Sequence, residues 1–212
     1  MSSLSKKFAV IGAVALIIMD IWVLGGALKA TETATFSNFM WNMVPAGLLL
    51  GTTALCVNFD VNAKKAVGII SAIVFGFMAV VRAFAFIVFI YDRMTIKDLP
   101  AMDYSEYTKT AELVGYMLLM VGAIFFVIYL LKGAFRKTTL VLSAISFLII
   151  VGAWVVNIYN LVNEAIFYDA GFSTILSAFI SDGIVWSLLM AIAYLITFAA
   201  NLGLLNPTKN KE

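Results

Sequence analysis

The chain contains no histidine, a single cysteine and three prolines, and only 12% of its 212 residues are charged. Each scarcity removes a class of chemistry. Without histidine there is no imidazole ligand for haem, no His-based proton relay and no Ser-His or Cys-His nucleophile pair, and typical zinc sites lose a principal ligand. Cys56 has no second thiol with which to form an internal disulfide, and it reads as a small buried apolar residue, with palmitoylation or redox sensing as the alternatives. No glycine loop followed by a phosphate-binding lysine occurs, and no dinucleotide fingerprint. A non-enzymatic protein without cofactor or metal is therefore expected. Asp20, Glu112 and Glu164 are the residues that acid–base chemistry would have to use, but nothing marks a nucleophile beside them.

What is abundant is apolar surface. Hydrophobic residues make up 63% of the chain, and the mean hydropathy is +1.03, far above a soluble domain. A helix needs about 20 predominantly apolar residues to cross a hydrocarbon core. Six runs of that kind occur, at 8–28, 39–59, 66–91, 111–131, 140–161 and 183–205. Backbone groups in lipid must be bonded internally, and the alternating polarity of a barrel is missing, so each run is predicted to be helical. The expected fold is an all-α integral membrane bundle of six transmembrane helices forming one domain over residues 1–212. Pro45 removes one backbone donor inside the second run and predicts a kink there.

Orientation follows from the basic residues, which concentrate in alternate segments between the runs. Lys6, Lys7, Lys64, Lys65, Lys132, Arg136, Lys137, Lys209 and Lys211 fall on one side, against Asp60 and Glu212. The other side carries Lys29, Arg93, Lys97 and Lys109 against nine carboxylates, among them Glu32, Asp103, Glu106 and Asp182. The positive-inside rule puts both termini in the cytoplasm. The compact segments between runs suggest a bacterial cytoplasmic membrane. The first run also has features of a secretory signal, with Lys6 and Lys7 in front and Gly25-Gly26-Ala27 behind. Its length and the carboxylate of Asp20 favour a permanent helix.

Two polar segments stand out between the runs. Residues 92–110 read as an outward loop, with the Asp103 to Glu106 spacing capping the fourth helix. In 163–181, Ile166, Phe167, Phe172, Ile175, Leu176, Phe179 and Ile180 alternate with polar groups. That pattern is compatible with an interfacial segment, a re-entrant segment or a loop packed over the bundle mouth. Basic pairs precede the first, third and fifth runs, a regularity that topology alone produces.

Asp20 and Arg82 are the only charges deep inside apolar runs, and their signs are opposite. A lone ion near the bilayer centre is disfavoured by roughly 3 kcal/mol on insertion scales, so such residues pair or line a polar cavity. Counted from the cytoplasmic ends, they are the thirteenth and seventeenth residues of their runs, within roughly 6 Å of one depth at 1.5 Å per residue. Either an intramembrane ion pair or a shared polar pocket is feasible.

Other polar side chains recur at helical spacing near that level. The predicted fifth helix carries Trp154, Asn157, Asn160 or Leu161, and Glu164, and the second carries Asn38 and Asn42. The fourth carries Glu112, Gly115 and Tyr116, and the sixth carries Ser187, Met190, Tyr194, Thr197 and Asn201. Converging inward, they would line an outward-facing vestibule floored by Asp20 and Arg82, suited to a small polar or amphipathic ligand. The competing reading is helix packing, in which such groups bond across helices at about 0.6 kcal/mol each and glycines allow close approach. Two functions from different classes follow. The first is a solute- or lipid-binding, transport-related subunit. The second is a non-catalytic accessory or scaffold subunit of a larger membrane complex. The partners expected are the lipid bilayer, a ligand of that kind, and a protein partner or second copy, with no nucleic acid.

Overall fold

In the computed structural model the described residues are 3–27, 34–96, 104–167, 171–181 and 184–205. Seven helices occur among them: α1 (Ser3–Ala27), α2 (Ala34–Asn58), α3 (Lys64–Thr95), α4 (Tyr104–Lys132), α5 (Arg136–Phe167), α6 (Phe172–Ser181) and α7 (Ile184–Asn201). No strand is present among the described residues. Each of the six apolar runs overlaps one of α1–α5 and α7, and among the described residues three helical stretches, Lys64–Thr95, Glu106–Lys132 and Arg136–Asn160, are long and apolar enough to cross a membrane. Helix α2 runs through Pro45 without interruption.

Three helix ends are built from left-handed residues. Asp60 (φ 53°) closes α2, with Val61 N–H bonded to the Cys56 carbonyl at 2.8 Å and Asp60 N–H to Val57 at 3.2 Å. That is the paired C-terminal cap, here with aspartate where glycine is usual. Gly203 (φ 74°) closes α7 in the same way, through Leu204 N–H to Ala199 at 2.8 Å and its own N–H to Ala200 at 3.2 Å. Gly133 (φ 70°) ends α4 with a single bond to the Tyr129 carbonyl at 2.7 Å.

Two of the polar segments differ from expectation. The loop expected over 92–110 is shorter, because α3 continues to Thr95 and α4 begins at Tyr104. Arg93 and Glu106, from opposite sides of that connection, form an ion pair, and the Arg93 guanidinium also stands over the Phe89 ring at 5.8 Å. The ion pair and the ring contact lie in the turns by which the two helices extend beyond their apolar runs. Asp103, the expected cap, lies outside the described residues. Within 163–181, α5 extends to Phe167 and 172–181 form helix α6, so these residues are helical rather than an irregular loop.

The chain divides into two compact units, each discontinuous in sequence. The first comprises Met1–Ser71, Val127–Ala134 and Ala178–Glu212, and the second Ala72–Phe126 and Phe135–Ser177. In the first, α1 packs against both α2 and α7. Small residues make this possible: Ala9, Ala13, Ala46, Ala54 and Ala200 are fully buried. A Cβ at Gly12 would stand 2.8 Å from the Thr197 backbone nitrogen, so the α1 and α7 backbones approach closely. In the second unit a Cβ at Gly115 on α4 would meet Ile150 of α5 at 2.7 Å. The apolar surface left over is extensive, and α3 in particular exposes Ile73, Phe77, Val80 and Phe84.

Candidate functional site

Asp20 is fully buried in the first unit. It is presented by α1 toward α2, where Gly47 leaves room for it: a Cβ there would lie 2.3 Å from one carboxyl oxygen and 2.7 Å from the other. Only glycine lets the helix backbone pass this close to the carboxyl group. Neither Asp20 oxygen has a hydrogen-bond partner among the described residues. The Leu48 backbone N–H acts on the carboxyl group but lies outside hydrogen-bond geometry. Asp20 is the only acidic residue in α1, α2 and α7, whose other charges are Lys6 and Lys7 at the start of α1.

Tyr194 lies on α7, which packs against α1 in the same unit. Its side chain is buried and close enough for the Asp20 charge to act on its hydroxyl. That hydroxyl also has no hydrogen-bond partner among the described residues. The ring stacks on Phe198 one turn further on, with centroids 5.9 Å apart. Two buried oxygen-bearing groups on two packed helices of one unit are thus left unsatisfied among the described residues. Native interiors satisfy the large majority of such atoms.

The remainder of the α7 stripe behaves differently. Thr197 donates to the Ala193 carbonyl at 2.8 Å, and Asn201 donates to Thr197 at 2.8 Å while accepting from Asn58 on α2 at 3.1 Å. The Tyr129 hydroxyl donates to the Asn201 carbonyl at 3.3 Å, and Ser5 at the start of α1 donates to the Ala200 carbonyl at 2.7 Å. Thr53 and Ser71 join α2 to α3 at 2.9 Å. These groups are satisfied and serve packing. Met190 is buried as core.

No known protein family, characterised protein or solved structure matches this chain.

Arg82 belongs to the second unit and lies half-buried on α3. Its neighbour there is Tyr116 of α4, whose hydroxyl is acted on by the charges of Arg82 and Glu112 and hydrogen-bonds the Trp154 side chain of α5. An indole can only donate, so Trp154 is the donor. Two residues expected from the sequence, Arg82 and Trp154, are thus brought together around Tyr116, with Glu112 as the anionic member. Asn160 is half-buried on α5. The side chains of Asn42 on α2, and of Asn157 and Glu164 on α5, lie outside those described.

At the α2–α3 turn, Asp60 and Lys64 form an ion pair one helical turn apart. The Lys64 ammonium holds the Asp60 carboxyl below its ordinary range, and Lys6 adds to the effect. Asp60 is exposed, so this pair belongs to the surface chemistry of the helix end. Among the described residues no group of three or more His, Cys, Asp or Glu side chains could hold a metal ion.

Proposed function

We propose that this is a multi-pass membrane protein of six spans with both termini cytoplasmic, in a bacterial cytoplasmic membrane, and that it is a transport-related binding subunit. The six helical apolar runs and the charge distribution between them support the topology. One observation carries the binding role: the Asp20 carboxyl is wholly buried with neither oxygen hydrogen-bonded among the described residues. Intramembrane carboxylates are retained where they have work to do on a ligand or ion. A merely structural acid would be satisfied, as the Asn58–Asn201 contact in the same unit is. The ligand class is small and polar or amphipathic, held in the outer half of the bilayer by a few polar groups among apolar walls.

A second reading, an accessory subunit of a larger assembly, is favoured by the exposed apolar face of α3, where a Cβ at Gly76 would meet nothing within 4 Å. Native mass spectrometry of the gently extracted protein separates the two. A reproducibly bound small molecule or specific lipid that disappears in Asp20→Asn supports the binding role. A stoichiometric protein partner with no ligand replaces it with the assembly role.

A further inference from the structure

The proposed binding role leaves open what neutralises Asp20. We propose that Asp20 and Tyr194 form a site for one monovalent alkali-metal cation, bound between α1, α2 and α7. The inference rests on the Asp20 region being the binding site and adds the charge and donor chemistry of what it takes.

Three observations carry it. The first is the unmet capacity of the site: both Asp20 oxygens and the Tyr194 hydroxyl are buried without hydrogen-bond partners among the described residues. All three are hard oxygen acceptors, the ligand type that alkali cations prefer. The second is charge. The elements packed on Asp20 present Gly47 and the Leu48 backbone from α2 and Tyr194 from α7, and α2 and α7 contain no charged residue at all. An ionised Asp20 carries one negative charge, which one monovalent cation neutralises, whereas a divalent ion would leave the apolar interior with a net charge again. The third is the construction of the place. Gly47 removes the one side chain that would occupy the carboxyl group's position, and the stacking of Tyr194 on Phe198 fixes the phenol ring on the facing helix. By contrast, the hydroxyls and amides of Thr197, Asn201 and Ser5 elsewhere in the same unit are already committed to carbonyls.

The test is thermal unfolding of the full-length protein in nanodiscs at constant ionic strength, with sodium or potassium chloride replacing choline chloride, at pH 6, 7 and 8. The expected result is a saturable rise of several degrees in Tm with at least one of the two cations. Binding to the folded state alone raises stability by mass action. The rise is lost in Asp20→Asn and displaced to several-fold higher cation concentration in Tyr194→Phe. Should Asp20→Asn fail to fold, Tyr194→Phe and equilibrium binding of radiolabelled sodium and rubidium to the wild type, expected at one ion per chain, decide the matter. The inference is overturned by a cation effect that survives Asp20→Asn, by no cation effect, or by stability that follows pH alone, since the site then takes a proton. Failure of the binding role is distinguishable. A cation response with no Asp20-dependent small molecule in native mass spectra keeps the cation site and removes the solute role. An Asp20-dependent solute without a cation response does the reverse.

Discussion

Gly47 faces Asp20 so closely that a methyl group on its Cα would stand 2.3 Å from a carboxyl oxygen. The consequence is specific to this glycine. Gly47→Ala must move the carboxyl group or spread α1 from α2, and a destabilisation of about 1–3 kcal/mol is expected, as for other overpacked interiors. At Gly76 and Gly152 a Cβ would meet nothing within 4 Å, so alanine there is expected to be neutral or to stabilise by up to about 1 kcal/mol through helix propensity. Thermal melts of the three variants in one lipid check the contrast. Equal losses at all three positions would argue against the close approach.

Asn58 and Asn201 tie α2 to α7, and their loss is a packing effect. Asn58 donates both to Ala54 at 2.8 Å and to Asn201 at 3.1 Å. Each single alanine replacement is expected to lower stability by about 1 kcal/mol, and the double replacement by less than the sum, because the two share one bond. Ligand retention in native mass spectra is expected to be unchanged. Ligand loss in the Asn201→Ala variant would move the site toward this end of the helices.

Arg82 is the opposite charge that the sequence offers to Asp20, and its neighbours in its own unit are the Tyr116 group. Arg82→Gln is expected to disturb Tyr116 and Trp154, visible as a change in tryptophan fluorescence, while leaving the cation response of Asp20 intact. If Arg82→Gln abolishes that response as Asp20→Asn does, the response depends on Arg82 as well, and Asp20 and Tyr194 alone do not make the site.

The Asp60–Lys64 pair predicts a small pH dependence of known sign. The folded protein holds the Asp60 carboxyl below its ordinary value of 3.8. A depressed carboxyl contributes stability above that value, and the contribution is lost as pH falls through the lower folded one. Wild type and Asp60→Asn should therefore differ slightly in Tm at pH 7 and converge in strong acid. Salt should shrink the difference at neutral pH, since the pair is exposed. A difference that grows on acidification would contradict the assignment.

The helices were legible in the sequence because some 20 apolar residues in lipid leave the backbone no other state. Their ends were less so. Hydropathy reports where lipid contact stops, whereas α3 and α4 run on to where Arg93 and Glu106 meet across the connection, and that pairing is tertiary. Asp20 announced itself as a charge in an apolar run. Gly47 did not, because its role is set by a helix some 27 positions away in sequence. Periodicity placed Tyr194, Thr197 and Asn201 on one stripe, but it could not separate hydroxyls and amides that bond to backbone or to a neighbouring helix from the one left unsatisfied. Tyr116 was visible as a polar residue on the fourth run, and its central place became evident only when α3, α4 and α5 met.

The central claim is that the Asp20 carboxyl and the Tyr194 hydroxyl act as one site, and a double-mutant cycle on stability at fixed sodium concentration measures it most directly. Asp20→Asn, Tyr194→Phe and the double variant are compared with wild type by reversible unfolding in the same bilayer. The account predicts a coupling energy above about 0.5 kcal/mol, the mark of residues sharing a partner. Effects that add within about 0.3–0.5 kcal/mol, as for independent positions, would contradict it.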